Sequence, residues 1–132
     1  LNQHDVDFIS ESKVSVFGND IVRFHDVAGR PFSKNNNVYI IDFEKDTIMT
    51  PYSSIMEDLD VRTGSEGLSE ILDNGDVFIE ETDGGRLLRI SPDSLKWEYT
   101  ATIDSGHVGR VSWCRYLSYD QISEILPILE RI

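Results

Sequence analysis

The sequence predicts an all-β protein built from antiparallel four-stranded sheets, with a C-terminal α-helix. The clearest unit spans residues 66–99, where four short apolar runs alternate with turn signals. Asn74-Gly75, Gly84-Gly85 and Pro92 lie between the runs, which cover 68–72, 77–79, 87–90 and 95–99. Asn-Gly and Gly-Gly tolerate the positive φ of tight hairpins, and proline fixes the φ that a turn needs. Such a meander forms one blade of a β-propeller or one sheet of another all-β fold.

A second four-stranded unit, longer than this one, is expected in the preceding part of the chain. Residues 4–9 alternate polar and apolar side chains, and residues 13–17 carry a valine at every second position, as strands do. Residues 38–43 predict a third, almost wholly apolar strand, and a fourth is expected over 47–55, broken at Pro51. Repeated units of this kind bury their faces by stacking on one another.

The connection over residues 21–37 is long enough to indicate a functional or disordered loop. The predicted division is a first blade over 1–57 containing that loop, a second blade over 58–104, the first strand of a third unit over 105–118, and a helix over 119–132. Two blades cannot close a propeller. We therefore expect a fragment of a longer propeller, a self-associating chain such as a trimer, or an open pair of sheets capped by the helix. Open sheet edges favour self-association or pairing with missing blades.

The C-terminal helix is predicted from apolar residues that recur at helical spacing between Ile122 and Leu129. Ser118 can cap it, with Gln121 as the capping-box partner, and Pro127 kinks it or starts a second turn. We expect the helix to pack on the sheets. The alternative is an amphipathic helix that binds a partner.

Charge excludes two classes of partner. The chain carries 24 acidic and 12 basic residues, a net charge of −12, and such a surface repels nucleic acid and anionic lipid. The acids indicate a solvated surface or attraction of a cation or basic partner, and 73–76 reads as a hairpin turn, not a calcium loop. No apolar run is long enough for a membrane helix. The chain opens without a recognisable leader, so we expect it to be cut from a longer protein.

The single cysteine, Cys114, excludes an internal disulfide and a cysteine-based zinc site. It lies in an apolar segment, 111–117, which predicts a strand and a buried structural thiol. A hydrolase with Cys114 as nucleophile is discounted, because a catalytic thiol needs a nearby base. We predict no metal site and no cofactor.

Repeated motifs carry a family resemblance. The first unit contains His-Asp-Val at 4–6, Val-Phe-Gly-Asn at 16–19 and Asn-Val-Tyr-Ile-Ile-Asp-Phe at 37–43. The second contains Leu-Asp-Asn-Gly-Asp at 72–76 and Trp-Glu-Tyr at 97–99. Over about residues 2–117 the chain resembles the arylsulfotransferase-type β-propeller family.

The resemblance implies a ring of blades around a channel, and transfer of a sulfuryl group from a phenolic sulfate to a phenolic acceptor through a histidine. By its motif His4 matches that histidine, and Arg23 follows the Phe-Gly-Asn turn where the family often places an arginine. His107 precedes the next inner strand and could reach the channel as a substrate-binding residue. The family would also imply a periplasmic or secreted location.

The second strand of a meander runs back beside the first, so His4 and Arg23 should lie at the same end of the blade and share one small anion. Structural roles stay open for both: His4 as a surface or interface histidine, Arg23 as a loop arginine paired with an acid. Trp97 and Trp113 are expected in the core or in the packing between blades, and not as a stacking platform for a phenolic ligand. Glu66 on the second inner strand suits a sulfate poorly, which keeps a second function open, a non-catalytic propeller module that binds protein or glycan.

Overall fold

The computed structural model describes residues 2–19 and 35–131. The strands of the first sheet follow one another in the order β1-β2-β3-β4, all antiparallel. Those of the second follow as β5-β6-β7-β8, also antiparallel. The bounds are β1 Asn2–Ser10, β2 Lys13–Asn19, β3 Asn37–Asp42, β4 Thr47–Met49, β5 Leu68–Ile71, β6 Val77–Glu81, β7 Arg86–Ser91 and β8 Ser94–Thr100.

The remaining elements are a helix α1 (Ser53–Asp58), a two-stranded sheet of β9 (Thr102–Asp104) and β10 (His107–Val108), and a C-terminal helix α2 (Tyr119–Leu129). The predicted all-β fold of antiparallel four-stranded sheets with a C-terminal helix is confirmed. The described residues form two such sheets and no closed ring of them, so the propeller itself stays a prediction.

One buried cluster joins the two sheets. Phe17 of β2 pairs directly with Val38 of β3, and Ile79 of β6 pairs with Leu88 of β7. All four side chains are fully buried in the same cluster as Met56 of α1. Cross-strand pairs of this kind are what stabilises a sheet, and here they also give each sheet the apolar face on which the other packs.

The fourth strand of the first sheet is shorter than predicted, because β4 ends at Met49 and α1 follows instead of a continued strand. Pro51 ends the pairing. Tyr52 and Met56, four residues apart, are then both buried in the core, and the Tyr52 hydroxyl donates to the Gly75 carbonyl at 2.9 Å. Helical spacing places these two side chains one turn apart on one face of the chain, towards the core.

The strand predicted over 111–117 does not form. Trp113 adopts a positive φ of 60°, which interrupts an extended chain. Its side chain is 83% exposed and that of Trp97 is 48% exposed, so neither tryptophan belongs to the core of the described residues, and their packing between blades stays a prediction. Instead, the segment 111–117 crosses the outer face of the second sheet, where Tyr116 meets Phe78 with ring centroids 6.1 Å apart.

The cap of α2 is as predicted, but its packing is not. The Ser118 hydroxyl accepts from the Gln121 N–H at 3.3 Å, and the Gln121 side chain accepts from the Ser118 N–H at 2.8 Å. No residue of α2 is buried, so the expectation that the helix packs on the sheets is wrong. Within the described ranges, no helix combines the length and apolarity that crossing a membrane requires.

An apolar row crosses the outer face of the first sheet. Phe8 pairs with Val14, Val14 with Ile41, and Ile41 with Ile48. Phe8 and Ile48, at the two ends of the row, are exposed. A surface of this kind is what pairing with another copy or with missing blades would cover. Self-association of the chain stays a prediction.

Candidate functional site

A groove lies where the start of β5, the first strand of the first sheet and the segment 112–115 meet. We call it the acidic groove and define it by Asp5, Glu66, Glu80, Trp113 and Arg115. Its volume is about 370 Å³, and Gly67, Leu68 and Ser112 complete its lining. That size is within the range of small-molecule sites in proteins.

Asp5 ties the two sheets together at the edge of this groove. It lies at a register shift of β1 with a positive φ of 53°, a conformation that aspartate tolerates better than most residues. Its Oδ2 accepts from the Ser69 N–H of β5 at 2.8 Å. Burial raises the pKa of the Asp5 carboxyl above its usual range, and the Ser69 bond offsets only part of that rise.

Glu80 holds the segment 111–117 over the second sheet. Glu80 is buried, with only 2% of its surface exposed. One carboxylate oxygen accepts from the Thr82 hydroxyl at 3.0 Å, and the other from the Cys114 N–H at 2.7 Å. A buried carboxylate with both oxygens bonded fixes the chain that it touches.

Cys114 is half-buried, so the predicted structural thiol is only partly withdrawn from solvent. Burial raises the pKa of the thiol, and the neighbouring Glu80 carboxylate raises it further. A raised pKa leaves little thiolate at neutral pH, which argues against Cys114 as a nucleophile.

A buried amide network lies beside the groove, where the chain leaves β2 and returns to β3. Asn36 is 1% exposed and its Nδ2 donates to Asn19 Oδ1 at 2.6 Å. Its Oδ1 accepts from the Thr63 N–H at 2.6 Å, and Asn19 Nδ2 donates to the Glu66 carbonyl at 3.0 Å. The burial of Asn36 could not be predicted from the sequence, because Asn35-Asn36-Asn37 has the composition of a loop and no local pattern indicates burial.

The three predicted site residues are not gathered in one place by the described chain. The backbone of His4 lies in β1, next to Asp5 and opposite Phe17. Arg23 lies outside the described residues. His107 lies on the β9–β10 hairpin with a 76% exposed side chain, its Nδ1 2.6 Å from Asp104 Oδ1, and does not line the acidic groove. The roles of all three stay predictions.

The strand register supports one part of the expected geometry. Asn2 pairs with Asn19, so β1 begins at the end of the sheet where β2 finishes. Asn19, the last described residue before Arg23, therefore lies at the same end of the sheet as the start of β1. The Asn19–Glu66 bond places the acidic groove at this end as well.

The charge of the groove is mixed but mainly negative. Asp5, Glu66 and Glu80 face one cation, Arg115, which makes no ion pair with a carboxylate among residues 2–19 and 35–131. Across those same ranges, no group of three or more histidine, cysteine or acidic side chains is arranged to hold a metal. An anion would therefore depend on Arg115 and on groups outside the described residues.

Asp5→Asn should leave the protein at least as stable as the parent at pH 7 and equally stable at pH 3. The amide oxygen can still accept from Ser69, while the buried charge is gone. Because the folded pKa is raised, the carboxyl group contributes its stability below the unfolded value of 3.8 and loses it as the pH rises through the folded pKa. Urea unfolding across this pH window measures the difference, with Asp73→Asn at an exposed turn as the charge-matched control. A marked loss of stability at pH 7 would show that the charge is needed.

Comparison with known proteins gives one match. The family model described as Arylsulfotransferase (ASST) matches residues 1–102. The matched region contains both four-stranded sheets and reaches the first residue of β9. No curated protein and no solved structure matches the chain.

Proposed function

Because the chain belongs to the arylsulfotransferase family, we propose that His4 carries a sulfuryl group between phenolic compounds in an arylsulfotransferase-like domain. The observation that carries the proposal is the place of His4 in β1. It stands next to Asp5 and the register shift there, at the end of the sheet where β2 finishes and where the acidic groove lies. A bulge of this kind re-aims the side chains around it and is common beside active sites.

The proposed reaction has two steps. A neutral imidazole nitrogen attacks the sulfur of a phenolic sulfate, the bond from sulfur to the aryl oxygen breaks, and the phenolate leaves. The phenolic oxygen of the acceptor then attacks the sulfur on the histidine, the N–S bond breaks, and the acceptor loses its proton. Arg23 and Arg115 are the proposed anion clamps, since a guanidinium presents paired donors to sulfonate oxygens. His107 is a proposed contact for the substrate.

A second candidate is a non-catalytic module that binds a protein or a glycan. The negative groove favours it, because three carboxylates and the exposed Trp113 suit a basic peptide better than a sulfate. The two candidates differ in the sign of the ligand's charge and in whether a covalent intermediate forms.

His4→Ala should lower the transfer of sulfuryl from an aryl sulfate to a phenol by about 10³-fold or more, because the nucleophile itself is removed. The assay follows release of a coloured phenolate and sulfation of the acceptor by the protein that carries this chain. His25 lies outside the described residues and is not the proposed nucleophile, so His25→Ala is the matched control and should keep far more of the parent rate than His4→Ala.

Mass spectrometry of the quenched parent should also find a sulfuryl group on the peptide that contains His4. Equal rates for His4→Ala and the parent would remove the histidine mechanism. Absence of turnover together with binding of a basic peptide in the groove would favour the non-catalytic module.

A further inference from the structure

A second cavity lies on the outer face of the second sheet, away from the shared core. We call it the aromatic cleft and define it by the side chains of Phe78, Leu87, Trp97, Arg115 and Tyr116. Its volume is about 370 Å³, which is at the small end of the range for ligand pockets. One benzene ring with one charged substituent is a ligand of that size.

The strand register builds the floor and one wall of the aromatic cleft. Phe78 of β6 pairs with Arg89 of β7, and Arg89 pairs with Trp97 of β8. Residues paired across strands point to the same face, so the three side chains stand in one row. Trp97 is 48% exposed, which leaves part of its indole available to a ligand.

Tyr116 forms the opposite wall, and Arg89 fixes its ring. Arg89 Nη1 donates to the Tyr116 hydroxyl at 3.2 Å, and the guanidinium carbon lies 5.6 Å from the ring centroid. Asp76 Oδ2 accepts from Arg89 Nε at 2.8 Å and lies 2.8 Å from Nη2. The charge of Arg89 is thereby neutralised and the wall is held before any ligand arrives, which lowers the entropic cost of binding.

Arg115 supplies the positive charge at one end of the aromatic cleft, where it also faces the carboxylates of the acidic groove. Its Nη1 donates to the Cys114 carbonyl at 3.2 Å, and no carboxylate of the described residues forms an ion pair with it. The side chain is exposed and lines both the aromatic cleft and the acidic groove. Its attraction to Asp5 offsets part of the rise that burial causes in the pKa of that carboxyl, and within the lining of the aromatic cleft Arg115 and Arg89 are the charged side chains.

We propose that the aromatic cleft binds an aromatic anion, with the ring against Trp97 and Tyr116 and the acidic group on Arg115. Flat rings stack on aromatic side chains, and a guanidinium bonds two oxygens of a sulfate or carboxylate at once. The inference rests on the proposed function only for the choice of a phenolic sulfate over an aromatic carboxylate. Bound there, a phenolic sulfate would present its sulfur towards the groove that Arg115 shares.

Binding is tested by calorimetry on the full chain, with phenyl sulfate, benzoate, phenol, benzylamine and inorganic sulfate as probes. Phenyl sulfate should bind about tenfold more tightly than phenol, since one charge-assisted contact is added. Benzylamine and inorganic sulfate should bind weakly or not at all. Benzoate separates an aromatic carboxylate from a sulfate as the preferred ligand. In NMR spectra the indole N–H of Trp97 should move more on binding than that of Trp113.

Two variants locate the site. Arg115→Gln should lower the affinity for phenyl sulfate about tenfold while leaving phenol unchanged. Trp97→Ala should weaken both. Arg110→Gln is the matched control, because it removes an arginine that lines neither the aromatic cleft nor the acidic groove and should leave both affinities at the parent value. Since Arg115 is exposed, its variant should fold even where Trp97→Ala does not.

The inference is overturned by equal phenyl sulfate affinity in the parent and Arg115→Gln, or by inorganic sulfate binding as tightly as phenyl sulfate. Its failure can be told apart from failure of the proposed function. If turnover needs His4 but KM is the same in Arg115→Gln as in the parent, the cleft is not a substrate site and the role of His4 as nucleophile still holds. If phenyl sulfate binds in the aromatic cleft but the protein shows no turnover, the binding site holds and the proposed sulfuryl transfer does not.

Discussion

Gly67→Ala should lower the free energy of unfolding by roughly 3 kcal/mol, the combined effect of a strained backbone and an overfilled site. Gly67 has a φ of +86°, which side chains rarely adopt. A Cβ there would lie 2.6 Å from Phe17 Cε1 and 2.7 Å from Thr63 Cγ2. Both neighbours are fully buried, so neither can withdraw without opening the core between the sheets.

Gly75→Ala is the control that separates the two causes. Gly75 has a similar φ of +81°, but no atom lies within 4 Å of the position that its Cβ would take. This variant should lose only the backbone contribution, about 1 kcal/mol. Urea unfolding of both variants measures the comparison. Equal losses would mean that the contact with Phe17 and Thr63 is relieved by a small shift and that the backbone alone matters.

The second sheet could be predicted almost completely from sequence, and the reason is local. Asn74-Gly75 and Gly84-Gly85 each determine a tight turn, and the apolar run from Val77 to Ile79 between them indicates a buried central strand. Register then follows from the turns. The capping box of α2 is equally local, since Ser118 and Gln121 are only three residues apart.

The site could not be predicted in the same way, because its contacts join distant parts of the chain. The Asp5–Ser69 bond spans 64 positions, and the Glu80–Cys114 bond spans 34. No periodicity in the sequence indicates such pairs. The segment 111–117 shows the same limit: its apolar composition predicts a strand, but one left-handed residue, Trp113, and one bond to Glu80 place it across the sheet as irregular chain.

Glu81→Ala should destabilise the protein by roughly 3 kcal/mol, because Arg86 then keeps only a more exposed carboxylate, that of Glu98 at 3.7 Å. Glu81 is nearly inaccessible to solvent and bonds both Arg86 Nε and the Arg62 N–H. The bond to Glu81 raises the pKa of Arg86, and the guanidinium stays charged in the variant because arginine is protonated at neutral pH even without such a partner. Arg86 also donates to the Leu59 carbonyl at 3.1 Å, so its displacement would loosen the connection that follows α1.

Arg110→Ala is the matched control, because it breaks an exposed ion pair where Glu81→Ala breaks a buried one. Arg110 forms an ion pair with Asp83 at 3.1 Å, but its side chain is 60% exposed, and pairs of this kind contribute about 0–1 kcal/mol. The double variant Glu81→Met/Arg86→Met should recover part of the loss seen in Glu81→Ala, since it removes the unpaired charge as well as the pair. Thermal and urea unfolding of these variants measure the free energies of unfolding that the comparison needs. If Glu81→Ala were no more destabilising than Arg110→Ala, water would have to reach Arg86, and the connection after α1 would not depend on this ion pair.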